Sequence, residues 1–221
     1  MYKILLILHV AVGIVALISG AVAIFSKKGA KLHLKSGKVY VAAMYSIGIT
    51  ALIMTIMKFN PFLLSIALFS SYLTYSGNQA IKYWRLKEAF VPTLKDKLPY
   101  YIAFLTSIFM IGFPVAEMIL SKSLFVPILG IFGSIMLANS INDIRTHANN
   151  DNFKPRRKEW LIQHIGMMGG AYIATTTAFL VNNVHIDPMW IWWLLPSVIG
   201  SVFITRSIRE WQKKLFKTKV V

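Results

Sequence analysis

Four side chains near one end of the apolar segments could together do chemistry. Asp143 supplies a carboxylate, and His33, His147 and His164 supply three imidazoles. A carboxylate with two or three imidazoles suits a divalent metal ion or a proton-handling cluster. No apolar segment contains the spacing HxxxH or HExxH, so the pattern identifies no particular metal. In the alternative interpretation, His33 and His147 are ordinary loop residues and His164 is a buried, hydrogen-bonded ring.

Four other polar residues within or at the ends of apolar segments are secondary candidates. Ionisable and polar side chains are costly inside a membrane, so they often mark a functional site. His9 is followed by small residues at i+4, i+7 and i+11, a stripe that allows close helix packing and predicts that His9 faces the bundle. Asn78 and Gln79 lie toward the end of the third apolar segment. Asn139 lies four residues before Asp143 and therefore shares its helix face.

Haem, as a b-type group, is the second cofactor that the histidines could bind. At 1.5 Å per residue, His9 lies about 10 Å from one membrane surface and His164 about 8 Å from the other. In a hydrocarbon core about 30 Å thick, the two rings are then about 12 Å apart in depth and should not ligate one iron. Haem would need His164 with His33 or His147, or His9 with a partner elsewhere. Met168, four residues after His164, is more commonly a packing group than a ligand.

The composition is that of a membrane protein. Of the 221 residues, 56% are hydrophobic and 14% are charged, whereas a soluble domain carries about 25% charged residues. The net charge of +16 lies between the apolar runs, so we expect a lipid bilayer and no nucleic acid as partner. A homo-oligomer or a membrane protein partner stays open. The absence of cysteine excludes disulfides, thiolate metal sites, c-type haem attachment and cysteine-bound iron–sulfur clusters.

Seven apolar segments are long enough to cross a membrane as helices, since a span needs about 20 residues. The third segment is the most polar, and only the residues SKS at 121–123 separate the fourth from the fifth, which predicts a tight helical hairpin. No long linker interrupts the chain, so we expect one integral membrane domain over residues 1–221. The predicted fold class is all-α, a polytopic bundle of transmembrane helices at residues 3–25, 39–57, 62–84, 99–120, 124–144, 160–181 and 190–208.

The distribution of lysine and arginine predicts the orientation of this bundle. Of the 24 basic residues, 21 lie in the first, third and fifth connections and the C-terminal tail, and 3 lie on the other side. Basic residues accumulate on the cytoplasmic side of membrane proteins. The N-terminus is therefore predicted outside and the C-terminus in the cytoplasm.

Two stretches of the chain resemble a known family. The first is LHVAVGIVALISGAVAIFSKKGAKLHLKSGKVYVAAM, and the second is EWLIQHIGMMGGAYIATTTAFLV. With these motifs the chain is similar to an uncharacterised bacterial family of predicted multi-span integral membrane proteins, a domain-of-unknown-function group. The resemblance implies a multi-pass protein of the bacterial cytoplasmic (inner) membrane, and it implies no activity. The matching residues are His9, Gly13, Gly20, Lys28, Gly29, His33, Gly37, Tyr40, Met44, Trp160, His164, Met168, Tyr172, Ala178 and Phe179.

Three classes of function are compatible with these residues. The first, which leads, is a membrane enzyme or redox protein that binds a metal ion or haem at the cytoplasmic-side histidines and Asp143. The second is a transporter, carrier or sensor of a small neutral or lipidic solute, with Asn78 and Gln79 lining its path. No lysine or arginine lies in the middle of an apolar segment, so an anionic solute is not expected. The third is a structural or interaction protein without chemistry, and the sequence does not decide whether the protein is an enzyme.

Overall fold

The structure is a computed structural model that describes residues 1–121, 127–149, 153–154 and 157–216. Within these ranges the chain forms seven α-helices and no strand, which confirms the all-α prediction. Long apolar segments without internal turn signals favour this outcome, because strands are shorter. The helices are α1 (Tyr2–Phe25), α2 (Lys31–Met57), α3 (Pro61–Trp84), α4 (Leu94–Ser121), α5 (Pro127–Ala148), α6 (Lys158–Asn183) and α7 (Trp190–Phe216).

Four of these helices are long and apolar enough to cross a membrane. They are α1, α2, the part Leu94–Ile119 of α4 and the part Trp190–Leu215 of α7. Between 6% and 28% of the most apolar part of each is buried inside the protein, so large apolar surfaces face outward. Apolar surface on this scale is unusual for a soluble monomer and fits contact with lipid. The protein therefore has the helices of a membrane protein.

The helices α3, α5 and α6 do not meet the same criterion within the described part of the chain. Each carries a polar stretch, namely SGNQ in α3, SINDIRTH in α5 and TTT in α6. They correspond to the predicted spans 62–84, 124–144 and 160–181, so the count of seven spans and the orientation of the termini stay predictions. The predicted hairpin at SKS and the start of the predicted fifth span fall largely on residues 122–126, which lie outside the described residues.

Many hydroxyl side chains on the helices donate to a carbonyl oxygen of their own helix, three or four residues earlier. Such a bond removes most of the cost of placing a hydroxyl in an apolar environment. These side chains therefore need no partner helix and indicate no site by themselves. They are Ser19, Ser36, Ser46, Thr50, Thr55, Ser65, Ser70, Thr74, Ser107, Ser134, Ser140, Thr175 and Thr176.

The chain divides into two compact units. Unit 1 comprises Met1–Asn78 and Ile165–Val221, and unit 2 comprises Gln79–His164. Unit 1 therefore contains α1, α2, α7 and most of α3 and α6, while unit 2 contains α4, α5, the last turns of α3 and the first turns of α6. Because both boundaries fall inside continuous helices, the expectation of a single domain stays a prediction.

In unit 1, glycines allow close contacts between helices. A Cβ atom at Gly20 of α1 would lie 2.5 Å from Cδ2 of Tyr172 and 3.0 Å from Cδ2 of Tyr40, so only glycine fits there without movement. Ala16 and Gly20 of the predicted small-residue stripe are buried. Gly13, by contrast, has nothing within 4 Å of an added Cβ. The stripe is thus a contact surface over its second half only.

The Gly-Gly pair of α6 allows close packing between helices. A Cβ atom at Gly169 would lie 2.7 Å from Cγ1 of Ile204 in α7, and one at Gly170 would lie 3.5 Å from Cδ1 of Leu73 in α3. A Cβ atom at Gly77 of α3 would lie 2.8 Å from the sulfur of Met168. Small residues let membrane helices approach closely and gain dispersion contacts.

Unit 2 has an aromatic core where its loops meet its helices. Ala80, Tyr83, Phe153 and Trp160 are all buried and pack together. The backbone N–H of Phe90 donates to the carbonyl oxygen of Phe153 at 3.2 Å, which joins the connection after α3 to the connection after α5. Two basic connections are thereby anchored on one apolar cluster.

Candidate functional site

The candidate site begins with three polar residues at four-residue intervals along α5. Asn139, Asp143 and His147 share one helix face because residues four apart lie one above the other. Asp143 and His147 are fully buried, with exposed fractions of 0% and 1%. Asn139 is half-buried, and its Nδ2 donates to the carbonyl oxygen of Ile135 at 2.8 Å within the same helix. Asp143 and His147 are thus the unusual members of this face, because ionisable side chains are rarely fully buried.

The carboxylate of Asp143 is bound by a side chain of α6. Nε2 of Gln163 donates a hydrogen bond to Oδ1 of Asp143 at 2.6 Å. An unpaired carboxylate at a fully buried position would be strongly destabilising, so this bond helps to explain how α5 accommodates Asp143. The sequence predicts the neighbouring His164 as the α6 member of the site, and the structure adds Gln163, which binds Asp143 directly.

The imidazole of His147 has a defined protonation pattern. Its Nδ1 lies 2.8 Å from the carbonyl oxygen of Asp143, which can only accept, so Nδ1 carries the hydrogen. In the neutral ring Nε2 then has a free lone pair. That atom is buried and has no hydrogen-bond partner among the described residues. A buried acceptor without a partner costs about 1–3 kcal/mol, so native proteins contain few of them.

Four aromatic residues, which we call the aromatic box, surround the His147 ring. The ring centroids of Tyr100, Phe153, Tyr83 and Trp160 lie 4.3, 5.0, 5.6 and 6.0 Å from the imidazole centroid. They come from α4, the connection after α5, α3 and α6, and all belong to unit 2. The imidazole of His147 consequently has an aromatic ring on several sides.

This environment keeps the imidazole neutral. His147 lies three residues beyond the predicted fifth span, and burial lowers its pKa. The carbonyl oxygen of Asp143 and the carboxylate of Asp96 act in the opposite direction, while Lys97 adds to the lowering. Desolvation is the largest of these effects, since it disfavours the charged form. His147 therefore acts as a neutral ring with an acceptor atom.

His33, another predicted member of the cluster, belongs to unit 1 and caps a helix. Its Nδ1 donates to the carbonyl oxygen of Ala23 at 2.9 Å. The ammonium group of Lys28 also donates to the carbonyl oxygens of Ala23 and Ile24. These carbonyls end α1 and have no partner within the helix, so His33 and Lys28 cap it. His33 thus performs a local structural role.

The remaining candidates are distributed over both units. In unit 1, Nδ1 of His9 donates to Oγ1 of Thr50 at 2.9 Å, which confirms that His9 faces another helix. The Asn78 side chain is hydrogen-bonded to the hydroxyl of Tyr45. In unit 2, Gln79 and His164 are half-buried.

Within unit 2, then, Asp143 and His147 lie together with Gln163 and the aromatic box. Across the described residues, no group of three or more histidine and acidic side chains is close enough to hold a metal ion. The predicted set of His33, Asp143, His147 and His164 stays a prediction as a ligand set.

Sequence reasoning did not identify the aromatic box. Tryptophan and tyrosine at the ends of apolar segments are common at the membrane surface, so their position alone does not indicate that they surround a histidine. A usable signal was present nonetheless, because the residues of the aromatic box lie in or near the third and fifth connections. Tyr83 and Tyr100 lie on either side of the third, Phe153 lies within the fifth and Trp160 follows it. Two basic connections that carry aromatic residues can share one apolar core.

No protein-family model, no curated protein and no solved structure matches this chain. The resemblance to a bacterial family of membrane proteins stays a prediction that depends on the two motifs quoted above.

Proposed function

We infer that this chain is a multi-pass protein of the bacterial inner membrane that binds a small ligand at His147. The observation that carries the proposal is the buried Nε2 atom of His147, an acceptor with no partner among the described residues. The charge distribution supports an orientation with the site toward the cytoplasm. A ligand that reaches Nε2 would recover the hydrogen-bond energy that the protein leaves unused.

The surroundings favour an uncharged ligand with one O–H or N–H donor and an apolar body. The donor would bond to Nε2, and the rings of the aromatic box would contact the body. Nε2 carries no proton and no charge, so it accepts a hydrogen bond from such a donor directly. The aromatic faces could also contact a cation. This is the class of a carrier or sensor of a small neutral solute.

A metal ion or haem iron is the second candidate, and one observation favours it. Histidines that ligate metals commonly donate the other ring N–H to a backbone carbonyl, which is the arrangement of Nδ1 of His147 with the carbonyl of Asp143. The described residues offer no group of three histidine or acidic ligands, so at least one further ligand would come from water, from the cofactor or from elsewhere in the chain.

The test compares the purified full-length protein with His147 variants. His147→Asn retains a donor near the position of Nδ1 and removes Nε2, while His147→Phe removes both and keeps an aromatic ring of similar size. His185→Asn is the control, because His185 is exposed. Native mass spectrometry reports a bound organic molecule, elemental analysis reports a metal ion and the visible spectrum reports haem.

The proposal expects a bound species in the wild-type and His185→Asn proteins that both His147 variants lose. An organic molecule would support the carrier or sensor, and a metal ion or a Soret band would support the second candidate. A wild-type protein with nothing bound, together with a His147→Phe variant that is more stable than the wild type, would contradict both. That result would show that His147 has a structural role and that the protein binds no ligand there.

A further inference from the structure

The last helix, α7, is longer than the membrane core requires. Its 27 residues span about 40 Å at 1.5 Å per residue, against a hydrocarbon core about 30 Å thick. No charged residue occurs in α7 before Arg206, and the helix continues to Phe216. The final turns of α7 therefore extend to the level of the lipid headgroups.

One side of these final turns packs on α6 within unit 1. A Cβ atom at Gly169 would lie 2.7 Å from Cγ1 of Ile204, and one at Gly166 would lie 3.9 Å from Cδ1 of Ile208. The stripe that begins with these isoleucines continues at helical spacing through Trp211, which is half-buried. This contact determines how α7 is rotated about its axis.

The opposite side of the same turns is basic and exposed. Arg206, Arg209 and Lys213 lie at i, i+3 and i+7, and Lys214 lies at the edge of this side, toward Trp211. All four are exposed, and Glu210 is the acidic residue of this segment. Arg206 lies two positions after Ile204, which is about 200° around the helix. Arg206, Arg209 and Lys213 therefore point away from α6.

We propose that this basic face of α7 binds the phosphate groups of anionic phospholipids at one surface of the membrane. Clusters of four or more lysines and arginines directly after a transmembrane helix attract anionic headgroups. The Nζ atom of Lys214 lies 5.3 Å from the ring centroid of Trp211, and tryptophan favours the headgroup level. The apolar stripe, the basic face and the tryptophan thus all occur at the depth where lipid phosphates lie.

The experiment measures how strongly the full-length protein retains phosphatidylglycerol over phosphatidylcholine. The protein is reconstituted in nanodiscs with an equimolar mixture of the two lipids, and native mass spectrometry counts the lipids that remain bound after detergent extraction. The test variant is Arg206→Gln, Arg209→Gln, Lys213→Gln and Lys214→Gln in one chain. The control removes four exposed charges of the third connection, with Lys82→Gln, Arg85→Gln, Lys87→Gln and Lys95→Gln.

We expect the α7 variant to lose the preference for phosphatidylglycerol by about tenfold or more, and the control to retain most of it. Replacing Arg206 and Arg209 by lysine retains the charge and should retain the preference, which separates lipid binding from misfolding. The proposal is overturned if the wild type shows no preference, or if the control loses as much as the α7 variant. It is also overturned if inorganic phosphate or a short RNA displaces the lipid, since the face would then bind soluble polyanions.

Discussion

Nε2 of Gln163 donates to Oδ1 of Asp143 across 2.6 Å and so joins α6 to α5 inside unit 2. The two residues are separated by 20 positions in the chain, across a connection rich in basic residues. His147 lies one turn further along the same face of α5. Its Nδ1 donates to the backbone carbonyl of Asp143, so the position of its ring depends on this part of α5. The order of the candidate site therefore depends on how α6 holds Asp143.

The first prediction concerns this bond. Gln163→Leu should destabilise the protein by about 1–3 kcal/mol, since it removes a donor from a buried carboxylate. The matched control is Asn139→Leu on the same face of α5, where the amide bonds only its own helix; its cost should be smaller. Thermal unfolding in detergent measures both. Equal losses of stability in the two variants would show that the bond to Asp143 stabilises the protein no more than the bond of Asn139 within its own helix.

The second prediction concerns pH. Burial lowers the pKa of His147 in the folded protein below the unfolded value, which is about 6.5. The unfolded chain therefore takes up a proton first as the pH falls. The stability is fully present above about pH 6.5 and decreases below it, down to the folded pKa.

The measurement for this prediction is the unfolding temperature between about pH 8 and about pH 5 for the wild type and His147→Asn. The difference between the two proteins cancels the titration of the other groups. We expect the wild type to lose more stability than the variant on acidification. Parallel curves would show that His147 is not held neutral by its surroundings.

The third prediction compares two glycines of α1. Gly20→Ala should destabilise unit 1 by about 1–3 kcal/mol, because the new Cβ would overlap the ring of Tyr172 and approach that of Tyr40. Gly13→Ala has open space and should be neutral or stabilising by up to about 1 kcal/mol, because alanine favours a helix. Thermal unfolding of the two single variants measures both changes in stability. A destabilising Gly13→Ala, or a harmless Gly20→Ala, would contradict the packing of α1.

The fourth prediction tests the orientation. The chain has no cysteine, so single cysteines can be introduced without further changes. Lys58→Cys and His185→Cys should react with a membrane-impermeant maleimide in intact cells, whereas Lys87→Cys should react only after permeabilisation. The expectation follows from the excess of basic residues on the cytoplasmic side. The reverse labelling pattern would show that the bundle has the opposite orientation in the membrane.

The residues of α5 show what could be predicted for the site. Asn139 and Asp143 were predicted on one face because the helical repeat alone requires it, whereas α5 continues past the predicted span and adds His147 to that face. Their partners could not be predicted in the same way. That Gln163 of α6 binds Asp143 depends on the rotation of α6, since neighbouring residues point about 100° apart around a helix.

The sequence by itself determined that the protein is helical and belongs in a membrane. Both conclusions follow from local quantities, namely the length of apolar segments and the cost of transferring charge into lipid. Only the tertiary structure decided that His33 caps α1 and that Gln163 holds Asp143. It also decided that four aromatic rings from separate parts of the chain enclose His147. Such contacts depend on how helices pack and which way side chains point, and these follow from interactions between distant residues.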